Sequence, residues 1–256
     1  MQYPRLVIPR IAVWRSPDDL HVGGCDSCLV LNAVPRQLAE VVECLDGRHE
    51  VNELYRIFDR QWVDWLLTVL DANSVLTEGP QKMALIPVQI HGSGDLADSI
   101  TRLLQGIARP VSPAQSRSEV LHIVAADTVE ADRVLLADLV CQRLRHLVVS
   151  ASQDCASVGP FVIPGLTSCT ICTDLTRRGL DPTWPIQVFQ LARIPTAPSA
   201  VMCAWASATA VGHISAYSRG ITPESASSTI ELSATDSYLT YRNWPRHPEC
   251  DCYRAG

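Results

Sequence analysis

Two closely spaced cysteine pairs, far apart in the sequence, place the strongest constraint on how this chain can fold. Cys169 and Cys172 are separated by two residues, and Cys250 and Cys252 by one. A turn with this spacing brings two sulfurs to the same side, and two such turns complete a four-thiolate shell around one zinc ion. Such an ion has no position left for water. We therefore predict a structural zinc knuckle that holds the C-terminal tail against the rest of the chain.

A further pair leaves an alternative for the metal ligands. Cys25 and Cys28 have the same spacing as the first pair. The simpler interpretation is two cysteines beside a turn, and the sequence leaves their role open. His247 is another candidate that could replace one thiolate, although a surface role is more common for such a residue.

The size and charge of the chain exclude several classes of protein. With 256 residues and 47% apolar side chains, it can bury one large core or two smaller ones. A formal net charge of −6 argues against a protein that binds nucleic acid through an overall positive charge. Charges interrupt the first residues, and the apolar stretch from Ala200 to Val211 is too short to cross a bilayer. We expect a cytoplasmic protein without nucleic-acid or membrane partners.

The first 80 residues change their hydrophobic period once. Residues 11–34 alternate with the period of β-strands, whereas residues 35–72 follow the period of three short helices. Three strands followed by three helices form a winged-helix arrangement, which we assign to residues 1–80. This segment contains 7 Arg against 12 Asp or Glu, so a peptide suits it better as a ligand than DNA does.

Residues 81–256 alternate strands and helices, a pattern typical of an α/β domain with a mainly parallel sheet. The apolar run from Met83 to Ile90 leads into a turn with Gly92 and Gly94 and then into a helix, the order found in a Rossmann-like unit. These glycines and Asp127, which follows the next strand, are the candidates for nucleotide binding. However, residues 99–118 contain no Asp or Glu to meet a ribose. We expect an abbreviated Rossmann-like domain and do not expect bound ATP.

Two parts of the sequence resemble families that make modified ribosomal peptides. The segment RIAVWRSPDDLHVGG and the helices after it resemble the PqqD-like recognition element. Residues 159–185 and 247–252, which include the four cysteines, resemble the ThiF-like domain of thiazole/oxazole-modified peptide (TOMM) pathways, a fold of the ubiquitin-activating type. Together the two resemblances cover nearly the whole chain. They imply a leader-peptide-binding partner protein with the recognition element first and the zinc-bearing domain second.

The resemblance to the PqqD-like element also implies where a peptide binds. In that family an extended leader adds a strand to the edge of the third strand and places apolar side chains in a groove beside the third helix. In this sequence the edge comprises Cys28, Leu29, Val30, Leu31 and Asn32. The groove wall is drawn from Trp62, Trp65, Leu66 and Val69. The alternative for each wall residue is that it simply fills the core.

The function implied by the two resemblances is that of a non-catalytic scaffold. Such a protein binds the leader of a ribosomal precursor peptide and presents it to a YcaO-type cyclodehydratase, which forms azolines. The small-residue helix predicted from Ser199 to Tyr217 is expected either to be buried within the domain or to form a twofold interface. The second alternative is the one that the ThiF-like resemblance implies, as part of a homodimer.

Two alternatives remain for the function. One is a ThiF-like adenylating enzyme that activates a C-terminal carboxylate. Arg102 or Arg133 would then be a phosphate-binding cation, and Cys155 or Cys203 a nucleophile. The other is a regulatory or scaffold protein that acts outside peptide modification. The charged residues after the first cysteine pair, among them Asp174 and Arg177, are expected to form a solvated ion-pair cluster.

Overall fold

The chain divides into two units in the computed structural model, which describes residues 1–24, 27–79, 85–109, 111, 116–235 and 238–253. Unit 1 is Met1–Lys82 and unit 2 is Met83–Gly256. Two sequence predictions fall outside the described residues: the metal-ligand candidate Cys25 and the start of a strand at Met83.

Unit 1 consists of two small antiparallel sheets and three helices. Its elements are β1 (Pro4–Leu6), β2 (Ala12–Trp14), β3 (Leu20–Gly23), β4 (Cys28–Leu31), α1 (Leu38–Cys44), α2 (Val51–Ile57), α3 (Arg60–Ala72) and β5 (Leu76–Glu78). Strands β2, β3 and β4 pair in that order, and β1 pairs with β5. The sequence pattern did not predict β1. The winged-helix assignment stays a prediction.

The core of unit 1 lies between the three-stranded sheet and the helices. Leu20 and Val22 point inward from β3 at period two, and both are completely buried together with Leu66 of α3. Local signals begin the helices. Glu50 and Glu53 form a capping box before α2, and the Asp59 carboxylate accepts a hydrogen bond from the backbone N–H of Gln61 at the start of α3.

Unit 2 is built around a seven-stranded sheet. Its elements are β6 (Ile86–His91), α4 (Asp95–Leu103), β7 (Ala108–Arg109), β8 (Leu121–Ala126), α5 (Arg133–Cys141), β9 (Arg145–Ala151), β10 (Cys155–Val162), α6 (Thr170–Leu180), α7 (Trp184–Leu191), α8 (Ala200–Ser218), β11 (Ser228–Ser233) and β12 (Leu239–Asn243). The strand order is β12-β11-β10-β9-β8-β6-β7. The predicted helix from Ser199 to Tyr217 is found as α8, with the Ser199 hydroxyl accepting from the backbone N–H of Met202.

The sheet of unit 2 is mixed, and the prediction of a mainly parallel sheet is wrong. Strands β7, β6, β8 and β9 are parallel, whereas β9, β10, β11 and β12 pair antiparallel. For β9 and β10 the reason is the length of the connection. A parallel strand needs a long crossover, but only residues 152–154 separate β9 from β10, so the chain turns back as a hairpin.

Helices cover both faces of this sheet. Ile123 and Leu147 pack against α4 and α8 on one face, and Val124 packs against α5 on the other. Small residues of α8, such as Ala206 and Ala210, are buried within unit 2, which agrees with the first of the two alternatives for this helix. The homodimer itself stays a prediction. Among the described residues, no helix has both the length and the apolar character required to cross a membrane.

Candidate metal centre and peptide-docking edge

The four predicted cysteine ligands come together in unit 2. Their Sγ atoms all lie within 4.8 Å of one another. The separations are 3.9 Å for Cys169 and Cys172, 3.7 Å for Cys169 and Cys250, and 3.6 Å for Cys172 and Cys252. Four sulfurs at about 2.3 Å from a tetrahedral zinc ion would be about 3.8 Å apart. The spacing therefore fits a four-thiolate metal site, and it is far too long for a disulfide.

Helix α6 supplies the first half of this cluster. Cys169 is its N-cap residue and Cys172 lies in its first turn, where the helix dipole favours a thiolate. The Sγ–H of Cys169 donates to Cys172, which lowers the pKa of Cys172 to about 4 and raises the pKa of Cys169. Burial raises the pKa of Cys252 to about 12. A negative charge is thus favoured on Cys172, and a cation that binds there must displace the protons of Cys169 and Cys252.

Polar contacts also hold the tail to α6. Arg178 forms an ion pair with Glu249 at 2.5 Å. The guanidinium of Arg177 lies between two indole rings, 4.6 Å from the centroid of Trp184 and 5.2 Å from that of Trp244. The Trp244 ring is buried and its Nε1–H donates to Thr229 Oγ1. The tail is therefore positioned by packing and ion pairs as well as by its cysteines.

The predicted docking edge in unit 1 is the outer strand of a sheet. Among the described residues, β4 pairs only with β3, from Cys28 opposite Gly23 to Leu31 opposite Leu20. Cys28 and Val30 are exposed, Leu29 is half-buried and Leu31 is buried in the core. Asn32 is exposed and follows the end of the strand.

The predicted groove wall divides into surface and core residues. Leu66 is completely buried and contributes nothing to the surface. Trp62, Trp65 and Val69 form a partly exposed stripe at helical spacing along α3, and Trp65 keeps 37% of its surface exposed. The rings of Trp62 and Trp65 meet edge to face with centroids 5.6 Å apart. Trp62 and Leu29 both pack against the core of unit 1.

The glycine turn before α4 is occupied by a side chain of the protein itself. The backbone N–H groups of Ser93 and Gly94 donate to the two carboxylate oxygens of Asp127 at 2.9 and 3.1 Å. In a nucleotide-binding glycine turn, backbone N–H groups at these positions donate hydrogen bonds to a phosphate. The glycines also have structural reasons to be there. Gly92 has φ +140°, and a Cβ at Gly92 would lie 2.3 Å from the carbonyl oxygen of Ala125.

Two of the other candidates for an adenylating site, Arg133 and Cys203, are engaged by groups of the protein itself. The Arg133 guanidinium donates to both carboxylate oxygens of Asp174 at 2.8 and 3.1 Å and to Glu130 at 2.9 Å. Burial acts to lower the pKa of Arg133, but these carboxylates outweigh it and raise that pKa. Cys203 is buried with its Sγ–H donating to the Asp95 carbonyl, and Cys155 is exposed. Of the charged residues expected to form a solvated cluster, Asp174 and Arg177 lie in half-buried ion pairs with Arg133 and Glu130, whereas Arg178 forms a solvated ion pair with Glu249.

The sequence pattern missed a cavity of about 500 Å³ in unit 2. It lies over the antiparallel half of the sheet, and its walls come from β9 to β12, from α6 and from the segment after β8. Arg133, Arg177 and Arg242 line it together with Glu130 and Glu231. No local motif marks such a cavity, because its lining residues are spread over more than a hundred positions of the sequence.

Comparisons with known proteins show which fold this is. No family model and no curated protein matches the sequence significantly. A heterocyclase in complex with substrate and cofactor shares the fold with a TM-score of 0.67 and 15% identity, over 96% of this chain and 39% of that chain. The heterocyclase TruD has a TM-score of 0.67 and 16% identity, over 98% of this chain and 42% of that chain. The chain thus spans about two fifths of the length of these heterocyclases.

A second kind of solved structure matches over its full length. MccB from E. coli has a TM-score of 0.62 and 12% identity, over 100% of both chains. Identities this low carry information about the fold alone. The chain therefore has the mixed α/β fold that is also found in MccB and in part of TruD.

Proposed function

We propose that this chain binds the leader of a ribosomal precursor peptide at the outer edge of β4 and presents the peptide to a YcaO-type cyclodehydratase. The peptide adds a strand beside β4, so that main-chain hydrogen bonds give affinity and neighbouring pockets select side chains. The observation that carries this proposal is the free edge of β4 within the described residues of unit 1.

The surface of α3 supports an apolar ligand rather than a polar one. Trp62, Trp65 and Val69 offer partly exposed apolar surface in one continuous stripe. Aromatic side chains of this kind are typical anchors in interfaces. Residues 1–80 carry an excess of negative charge, with 12 acidic residues against 7 Arg, which disfavours a nucleic acid.

The fold likeness is compatible with a role in peptide modification. One neighbour is described as a heterocyclase bound to substrate and cofactor, and another is MccB with MccA. In this proposal the four-cysteine cluster holds zinc as a structural ion, because four thiolates leave no position for a reacting water. The zinc would join the tail to α6 and would take no part in chemistry.

The occupied glycine turn supports the scaffold role. The Asp127 carboxylate takes the N–H groups that a nucleotide phosphate needs, and a phosphate there would also meet its negative charge. The second candidate function is adenylation, which is favoured by the full-length likeness to MccB, a protein that has been solved with ATP. An ATP–pyrophosphate exchange assay separates the two, because robust exchange by this chain alone contradicts the scaffold proposal.

The leader site is tested by peptide capture. A displayed library of random twelve-residue peptides is selected on the wild-type chain, and the affinity of the selected peptides is measured by fluorescence anisotropy. We expect Trp62→Ala, Trp65→Ala and Leu29→Arg each to weaken peptide affinity about tenfold or more. A loss of this size is typical when one anchor residue of an interface is removed.

Matched controls separate this site from general effects. Ile57→Ala removes a more exposed apolar side chain at the end of α2, and Val13→Arg places a charge on β2, at the opposite edge of the same sheet. Both controls should bind as the wild type does. Circular dichroism checks that Leu29→Arg remains folded, and Val30→Arg repeats the test at an exposed position of β4. Unchanged capture by all four site variants would show that the groove assignment is wrong.

A further inference from the structure

A second unprotected strand edge lies at the end of the sheet in unit 2. Among the described residues, β12 pairs only with β11. All five residues of β12 are exposed, and its sequence LTYRN contains two β-formers, Thr240 and Tyr241, and no proline. Natural edge strands are usually protected by lysine, proline or a bulge. Here the only charge, on Arg242, is paired with Glu231 of the neighbouring strand at 2.8 Å.

The two faces of β12 differ in chemistry. Leu239 and Tyr241 point to one side and are 48% and 56% exposed. Thr240 and Arg242 point to the other side and line the cavity of about 500 Å³. A strand added beside β12 would therefore place alternate side chains next to apolar groups and next to the cavity.

The cavity favours neutral polar groups. Its cations are already paired, since Arg133 bonds Asp174 and Glu130 and Arg242 bonds Glu231. A charged ligand would have to break one of these pairs and leave its partner uncompensated. Hydroxyl groups also line the cavity. The Thr170 side chain among them is 6% exposed, and its Oγ1 has no hydrogen-bond partner in the part of the chain that the structure describes. Ligand hydroxyls can both donate and accept here.

We propose that β12 is a second docking edge, which receives an extended peptide with apolar side chains alternating with Ser or Thr. The apolar side chains lie beside Leu239 and Tyr241, and the hydroxyl side chains enter the cavity. A second copy of this chain fits less well, because its β12 would bring a further charged side chain, that of Arg242, to the cavity face. Placing a downstream segment of the precursor here would rest on the proposed leader-binding function, whereas the docking edge itself does not.

The test uses a synthetic probe with the full chain. The probe is a fluorescein-labelled nonapeptide in which Val and Ser alternate, with blocked ends. A control peptide has the same composition in Val-Val and Ser-Ser pairs, and another carries Glu in place of Ser. We expect saturable binding of the alternating peptide, and a loss of about tenfold or more with either control peptide, as for one misplaced buried group.

Variants locate the probe on the chain. Leu239→Lys protects the edge and Thr240→Trp fills the cavity, and each should weaken binding by about tenfold or more. Ile221→Lys, an equally exposed apolar position outside β12, should bind as the wild type does. Sedimentation velocity records the oligomeric state of each variant.

Three results would overturn the proposal. One is an absence of saturable binding, or equal binding of all three peptides. Another is binding that survives both β12 variants but is lost in Trp65→Ala and Val30→Arg, which would assign the probe to β4 and support the leader site. The third is a wild-type dimer that Leu239→Lys dissociates while no peptide binds, which would make β12 an interface between copies. If the leader site on β4 fails its own test, the expected effect of the β12 variants on probe binding stays the same.

Discussion

The backbone N–H of Gly94 donates a hydrogen bond to Asp127 Oδ1 at 3.1 Å, so a carboxylate closes the glycine turn at the start of α4. Its other oxygen accepts from the Ser93 N–H at 2.9 Å. The carboxylate of Asp127 thereby satisfies helix donors that would otherwise need water or a ligand.

Asp127→Ala should destabilise unit 2. It removes a negative charge and three hydrogen bonds at a helix N-terminus, two from backbone N–H groups and one from the Ser93 hydroxyl, and their loss costs about 1–3 kcal/mol. Urea unfolding measures the change in the free energy of unfolding. Asp98→Ala, on an exposed side of α4, is the control and should change it by less. Equal effects of the two variants would contradict the role assigned to Asp127.

The metal site predicts one zinc ion per chain. Cys169→Ser should abolish metal retention, because three thiolates hold the ion less tightly and the tail loses its attachment. Elemental analysis of purified protein measures the zinc content. Cys141→Ser changes an exposed cysteine outside the cluster and should leave that content unchanged. A folded wild-type protein without metal would disprove this prediction.

Gly92→Ala should destabilise unit 2 by about 2–4 kcal/mol, since a new Cβ would strain a positive φ and clash with backbone. That Cβ would lie 2.3 Å from the carbonyl oxygen of Ala125. Thermal and urea unfolding measure the loss. Gly179→Ala is the matched control, because a Cβ there in α6 meets nothing within 4 Å and favours helix. A neutral Gly92→Ala variant would show that the turn relaxes without cost.

Buried histidines predict a loss of stability in acid. His122 and His146 are buried on neighbouring strands β8 and β9, and the Nδ1 atom of His122 is 2.9 Å from Nε2 of His91. Burial lowers the pKa of His122 and of His146 to about 4. The ordinary histidine pKa is about 6.5. Between about pH 6.5 and about pH 4, these histidines therefore bind protons in the unfolded chain but not in the folded chain.

The free energy of unfolding should therefore fall as the pH decreases from about 6.5 to about 4, by about 1.4 kcal/mol per pH unit for each histidine. Urea unfolding at several pH values measures this slope. His146→Gln should reduce it, whereas His21→Gln, a half-exposed position on β3, should not. Parallel pH profiles for the wild type and His146→Gln would contradict the assignment.

How much could be predicted from the sequence depends on how local each signal is. The periods of residues 11–34 and the small residues of α8 predicted strands and a helix that the structure contains. The antiparallel half of the large sheet was missed, because its direction depends on the short connection at residues 152–154 and not on side-chain pattern. Helices α6 and α7 were also missed, as the cysteine spacing at the start of α6 suggested a turn.

The candidate sites were also predicted better where their signal is local in the sequence. Cysteine spacing predicted four residues that the structure brings together, since few side chains other than metal ligands recur in such pairs. The groove wall was predicted less well. Helical period alone cannot distinguish the buried Leu66 from the exposed Trp65 on neighbouring faces of α3. The cavity depends on distant residues such as Glu130 and Arg242, and no sequence pattern links them.

The cysteine cluster has a further consequence in polymer terms. An ion held by Cys172 and Cys250 closes a ring of chain that contains α7, α8, β11 and β12. Ring closure restricts the unfolded ensemble, and its entropic cost grows only slowly with the size of the ring. Among the described residues, β12 at the end of the sheet pairs with one strand alone. Four cysteines joined by an ion would therefore limit how far this strand can move from the sheet.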